Sequence, residues 1–339
     1  MRFSLVAFLL PWCSKTASGF SPSFYSSIAT SFYHHQHNMM HCKQMITVTS
    51  PLKVTATKEN SENTETQKEK ERKEEELTLS PWSMTQEKGG GINEARFRQH
   101  VNPLSRKYQM QTELPPNWPA DGSTFADPSL PLYLDIGCGK GGFLLDLATK
   151  RVKEEEEGNI QKMNYLGLEI RPNVVAYAQE RVPKWNLAGK LSFVGCNANV
   201  DLDRILSLYC SEEKNNAPLE YVSIQYPDPH FKNRHEKRRV VTPELVSTVA
   251  KYLPEGKVVF LQSDIQSVLD TMRERFREQS IYFEDEIESV EEYMDVNPLG
   301  VPTERELSVL KKDLPVFRTI LRRTSVPFDA TAMVDEEIE

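Results

Sequence analysis

The densest concentration of chemistry-bearing residues is Pro227-Asp228-Pro229-His230-Phe231-Lys232-Asn233-Arg234-His235-Glu236-Lys237-Arg238-Arg239. Two prolines fix the backbone on either side of one carboxylate. Tyr226 and Phe231 flank it with aromatic surface, and a run of positive charge follows. A carboxylate held rigidly beside stacking faces and cations suits a purine displayed from RNA, because the base stacks while the phosphates meet charge. A solvated basic loop is the competing reading. The prolines and the position after an apolar strand count against it.

A second group surrounds Gly137-Cys138-Gly139-Lys140-Gly141-Gly142, which follows the apolar run Leu132-Tyr133-Leu134-Asp135-Ile136. Glycines between a strand and a helix give a tight turn and a bare backbone beside a ligand. Dinucleotide sites, nucleoside sites and plain α/β turns all share that pattern. Asp135, just before the glycines, would repel a pyrophosphate but would meet the ammonium of a methionine, which turns the reading toward S-adenosylmethionine. Glu169 closes the next strand, where a carboxylate takes both hydroxyls of an adenosine ribose; dinucleotide enzymes also use an acid there. Gly142 is followed by Phe143 and not by Ser or Thr, so the turn is no Walker motif. Asn197 and Asn199 are placed either to hydrogen-bond an adenine edge or simply to cap a turn. Asp264, after a later strand, is placed to share the site, whereas Cys138 and Cys196 read as packing residues.

These side chains need a scaffold that gathers strand ends. From about Leu130 the pattern alternates strand and helix, which predicts a Rossmann-like α/β fold with a mostly parallel central sheet and helices on both faces. Strands are expected at 132–136, 165–170, 191–195, 221–225 and 257–262, with later candidates at 281–284 and 316–323. Helices are expected at 143–150, 174–181, 242–253 and 265–279. The active-site loop then leaves the carboxyl edge of the fourth strand, where open α/β sheets bind ligands.

Across 339 residues the formal net charge is -8, which would argue against nucleic acid if it were spread evenly. It is not: acid collects in an early Glu/Lys run and in the last third, and base collects between Lys232 and Arg239. Local charge sets the field that a polyanion meets. The five cysteines include no CxxC pair, which reads as a reduced compartment with no zinc site. His34, His35, His37, His41 and Cys42 lie in leader sequence, so no metal is expected.

Residues 1–46 read as a targeting leader. An apolar run from Phe3 to Trp12 is too short to span a bilayer, and Ala17-Ser18-Gly19 suits cleavage before Phe20. Beyond Phe20 the chain is rich in Ser, His and aromatics, with no acidic residue until Glu59. A signal segment followed by such a stretch resembles the bipartite leader of plastid proteins; a mitochondrial leader is the alternative. Residues 47–90 read as a disordered polar linker, 91–325 as the folded domain and 326–339 as an acidic tail. Arg96, Arg98, His100 and Arg106 make a basic patch where the domain begins.

Taken together, several motifs in order resemble the transfer RNA (guanine-N7)-methyltransferase family, in its cyanobacterial and plastid-like branch. They are Arg96-Phe97-Arg98-Gln99-His100-Val101-Asn102-Pro103-Leu104, the Asp135 glycine turn, Leu166-Gly167-Leu168-Glu169-Ile170-Arg171, and Pro227 through Arg239. Gln262-Ser263-Asp264 and Asn297-Pro298-Leu299-Gly300-Val301-Pro302-Thr303-Glu304-Arg305-Glu306 complete the set, so the likeness spans about Arg96 to Arg323. The resemblance implies an S-adenosylmethionine-dependent methyltransferase fold. It implies cofactor contacts at Asp135, Gly137, Gly139, Glu169, Asn197 and Asp228, with Asp228 the catalytic centre. It further implies contacts to the target guanosine from Lys232, Asp264, Thr303, Glu304, Arg305 and Glu306. The family's usual acceptor is a guanine in the variable loop of transfer RNA. No obligatory protein partner and no membrane association are expected, and a monomer or a homodimer is compatible. Three residues depart from the pattern: Asp135 stands for Glu, Asn197 for Asp, and His230 for Trp.

Two other functions compete. A methyltransferase of the same fold acting on another RNA, a protein or a small molecule would need the cofactor site but not Lys232 to Arg239. A non-catalytic RNA-binding protein with a vestigial fold would be indifferent to Asp228. A dehydrogenase fits less well, because no residues suggest a hydride-transferring substrate site.

Overall fold

The computed structural model describes residues 100–211, 217–229, 237–287, 289 and 292–329. The leader, the linker, Arg96, Arg98, His230, Lys232 and the tail beyond 329 fall outside the described residues.

Five short apolar runs pair as a parallel sheet: β1 (Leu132–Ile136), β2 (Asn164–Glu169), β3 (Leu191–Gly195), β4 (Leu219–Gln225) and β5 (Val258–Ser263). Every residue of β1, β2 and β5 is buried, as expected of strands covered on both faces. The edge beyond β5 is antiparallel: β6 (Phe283–Asp285) and β7 (Phe317–Arg323) extend the sheet, giving the order β3-β2-β1-β4-β5-β7-β6. The chain first winds from β1 out to β3 and then returns to place β4 on the other side of β1. The reversal lies between β1 and β4, and open α/β sheets bind ligands at such a switch point.

Alternation along β1 divides the core. Leu132, Leu134 and Ile136 face a layer formed by α3 (Ala198–Tyr209), α4 (Pro243–Tyr252) and α5 (Gln266–Arg277). Tyr133 faces the opposite layer, which holds α1 (Gly142–Glu156), α2 (Pro172–Arg181) and the 299–301 segment. The helix starts are written locally. Proline occupies the first turn of α2 and of α4, and the Thr242 hydroxyl caps α4 by accepting from Leu245 N–H. No helix among the described residues is long and apolar enough to cross a membrane.

All seven expected strands are present, with ends shifted by one or two residues, and helix α1 runs six residues beyond its expected end at Lys150. Two helices were not expected. Helix α3 begins within Asn197-Ala198-Asn199, which reads as a turn because Asn197 is its N-cap. The seven-residue α6 (Glu304–Leu310) starts from a Thr303–Glu306 capping box inside a motif read for its charges.

Candidate active site

Around the switch point the strand ends enclose a cavity. Its wall is made by Ile136 and Gly137 after β1, Leu168 to Arg171 after β2, Cys196 to Asn199 after β3, and Tyr226, Pro227 and Asp228 after β4. Arg238 and Val240 add the side toward α4, and Val101 and Pro103 bring in the segment ahead of the sheet. Four of the expected cofactor residues, Gly137, Glu169, Asn197 and Asp228, therefore share one wall. Asp135 and Gly139 lie just behind it.

The turn after β1 is built for close approach. Gly137 has φ +82°, and a Cβ there would meet nothing within 4 Å, so the backbone is bare toward open space. Gly141 (φ +77°) has a different reason to be glycine: a Cβ would meet Phe193 Cζ at 2.5 Å, so this position packs the turn against the sheet.

Glu169 is buried and its carboxylate is fully engaged. Oε1 accepts from Arg171 N–H at 3.0 Å and Arg171 Nε at 2.8 Å, and Oε2 accepts from Arg171 Nη2 at 2.9 Å and Gly139 N–H at 3.1 Å. Four bonds fill the lone-pair positions of a carboxylate. A ribose diol would therefore take the place of Arg171 donors, so Arg171 is a part of this site that motif reading passed over.

Asp135 is buried on β1 and accepts from Ser223 Oγ at 2.6 Å. Burial raises its carboxyl to about 7, opposed by Ser223 and Gln225 and reinforced by the charge of Glu169. A cation beside it would favour the ionised form.

Asn197 caps α3 through Oδ1, which accepts from Asn199 N–H at 3.1 Å, while its Nδ2 donates to Tyr108 C=O at 3.1 Å. Asn199 donates to Val240 C=O at 3.1 Å and accepts from the Thr242 hydroxyl at 2.9 Å, joining the starts of α3 and α4.

Asp228 is 39% exposed at its side chain and forms one hydrogen bond among the described residues, to His100 Nδ1 at 2.9 Å. Nothing in the spacing pointed to this contact across 128 positions. The residue that turns the chain into the loop is Tyr226, at φ +50°, whose N–H donates to Gln262 C=O at 2.8 Å. Burial raises its phenol first, and the Glu306 carboxylate adds to that. Tyr226 thus connects the cavity wall to the second acid cluster.

In that cluster, Asp264 pairs with Arg305 at 2.5 Å. The Thr303 hydroxyl accepts from Glu306 N–H at 3.0 Å. Glu306 itself is buried, accepting from Arg318 at 2.7 Å, Asn297 at 2.9 Å and Gln262 at 3.0 Å. Glu304 turns toward the glycine motif, its Oε1 2.8 Å from where a Gly142 Cβ would stand; burial raises its carboxyl against the pull of Lys140 and Arg181. Of residues 303–306, Arg305 is exposed, Thr303 and Glu304 are half-buried, and Glu306 is committed to holding the loop.

The cavity fits a polar, cationic nucleoside. The bare Gly137 backbone, the buried Asp135 carboxyl and the Glu169 carboxylate are suited to S-adenosylmethionine. In addition, Arg238 Nε in the wall is buried without a hydrogen-bond partner, an orphaned donor that a polar ligand would satisfy.

Comparison with known proteins supplies the family. Residues 129–319 match the family model described as "Putative methyltransferase". A protein of Synechococcus elongatus named tRNA (guanine-N(7)-)-methyltransferase is 43% identical over 228 residues, covering 67% of this chain and 96% of that protein. The chain belongs to the tRNA (guanine-N(7)-)-methyltransferase family. A relative of the same name in Thermosynechococcus vestitus is 42% identical over 231 residues, and one in Synechocystis is 41% identical over 231, each covering 68% of this chain and 96% and 98% of the relative. The span matched by the family model takes in Asp135, Glu169, Asn197, Asp228, Asp264 and the 303–306 motif, and leaves His100 outside it.

Proposed function

We propose that this chain methylates N7 of a guanine in the variable loop of transfer RNA, using S-adenosylmethionine. The observation that carries the reading is the position of Asp228, in the wall of the same cavity as Glu169 and Gly137. Membership of the family supplies the acceptor class.

Asp135 would meet the methionine ammonium, Glu169 the ribose hydroxyls, and the Gly137 turn would lie along the ligand. Bound there, S-adenosylmethionine supplies a methyl group made electrophilic by its sulfonium. N7 of guanine already carries a lone pair, so no base must remove a proton before attack, and the chain's task is alignment. Asp228 accepts from the N1–H and amino edge of the base and offsets the positive charge that N7-methylation places on the purine. Val101 and Pro103 add apolar surface to the cavity wall. Lys232 and Arg305 would meet the acceptor nucleotide's phosphates, and Thr303 and Asp264 its polar edges. Glu306 holds the segment that carries Thr303 and Arg305, and Glu304 turns toward the glycine motif.

The cyanobacterial relatives and the composition of residues 1–46 together support a plastid destination. The chain is proposed to act without a second protein. Both the acceptor and the self-sufficiency are tested by incubating the purified chain alone with S-adenosylmethionine and unmodified tRNA, then analysing the nucleosides. The expected product is 7-methylguanosine. Its absence from a chain that still binds S-adenosylhomocysteine would contradict the reading.

A further inference from the structure

A segment ahead of β1 crosses the carboxyl edge of the sheet and is pinned there at several points. Thr112 Oγ1 donates to Gly195 C=O at 2.8 Å, Thr112 N–H donates to Asp201 at 3.1 Å, and Arg204 donates to Thr112 C=O at 2.7 Å. Tyr108 C=O accepts from Asn197 at 3.1 Å, and Val101 and Pro103 form part of the cavity wall. The strap so fixed delivers His100 Nδ1 to Asp228 Oδ1 at 2.9 Å.

We infer that His100 is a positioning residue for methyl transfer, acting by holding the Asp228 carboxylate in one orientation. The inference rests on the proposed role of Asp228. A carboxylate only accepts, so the contact requires a hydrogen on Nδ1, which one neutral imidazole tautomer and the imidazolium both carry. The prolines at 227 and 229 restrict the backbone of Asp228, but its side-chain torsions need a partner, and His100 is the one hydrogen-bonded partner among the described residues. Each carboxylate oxygen has two acceptor positions, so Oδ1 can take the imidazole donor while both oxygens stay open to the two donors of the acceptor base. Among the described residues, the charged groups that line the cavities beside Asp228 are Glu169, Arg171, Arg238 and Arg239. His100 is 66% exposed at its side chain, so it packs little and can be replaced without opening the core.

The test uses the full chain and two substitutions. His100→Ala is expected to lower kcat on tRNA by about tenfold or more, with the Kd for S-adenosylhomocysteine and for tRNA changed less than about twofold. His100→Asn, whose amide donor sits near the position of Nδ1, is expected to recover most of the rate. Wild-type kcat in His100→Ala, an equal loss in both variants, or a loss that falls on cofactor Kd in place of kcat would each overturn the inference. A second readout does not depend on turnover. The imidazole nitrogen shifts of His100, assigned by their disappearance in His100→Ala, should report Nδ1–H in the wild type and lose that state in Asp228→Ala. Shifts unaltered by Asp228→Ala would overturn the pairing even in a chain inactive on RNA, whereas inactivity with Nδ1–H intact would count against the methyl-transfer reading alone.

Discussion

Asp135 shows how a single buried group can tie stability to pH. Its carboxyl is raised to about 7, above the 3.8 of an unfolded chain, chiefly by burial. With a raised folded value, its contribution to stability is full below the unfolded pKa and is lost as pH rises through about 7. Asp146 behaves in the same direction, also at about 7 through burial, with Arg181 opposing. Asp135→Asn should therefore flatten, but not abolish, the fall in ligand-free stability between about pH 4 and pH 7, read from urea midpoints. The same substitution should weaken S-adenosylhomocysteine binding by roughly tenfold or more, because a charged hydrogen-bonded contact is lost. An unchanged Kd by calorimetry would remove Asp135 from the cofactor site. At this scale the sequence was readable where chemistry is local: Asp228 stands between two prolines, and Gly137 and Glu169 stand at strand ends. His100 and Arg171 were not readable as site residues, the first because its partner is 128 positions away, the second because its hydrogen bonds fold back on Glu169 from within a motif.

Between residue and domain, the 295–306 loop is organised by buried ions and not by its own propensity. Glu306 closes a capping box and accepts from the buried Arg318, so Glu306→Ala removes one partner and leaves the other charged and enclosed. Breaking a buried pair in this way costs about 3–5 kcal/mol. Arg305→Ala breaks a pair whose cation is 56% exposed, where the expected loss is under about 1 kcal/mol. Chemical denaturation of both variants separates the roles: equal destabilisation would contradict the assignment of Glu306 to scaffold and Arg305 to ligand. The motif around 303–306 was legible as a set of charges, but a seven-residue helix carries too little periodicity to announce itself. Helix α3 did carry a signal, since Leu202, Ile205, Leu206 and Tyr209 recur at helical spacing and all are buried. The two asparagines before it drew attention to ligand chemistry first. Strands β1 to β5 were legible because largely buried parallel strands leave short runs that are mostly apolar.

For the molecule as a whole, the formal net charge of -8 conceals the basic stretch that follows β4 and Asp228 in the sequence. An acidic protein that binds tRNA through this stretch should lose affinity steeply with salt, each phosphate contact contributing to the slope. Replacing Arg234, Lys237 and Arg239 together by Ala should reduce that slope by about one per residue that meets a phosphate, with cofactor binding unaffected. A slope identical to wild type would move the RNA path elsewhere. The proposed activity is guanine-N7 methylation that depends on one carboxylate, Asp228. It is tested most directly by transfer of labelled methyl from S-adenosylmethionine to unmodified tRNA by wild type and by Asp228→Ala, with N7 sites mapped by borohydride–aniline cleavage. Label at one variable-loop guanine, with the rate reduced at least about a hundredfold in Asp228→Ala while S-adenosylhomocysteine still binds, is the predicted result. Equal labelling by the two proteins, or label at an atom other than N7, would contradict it.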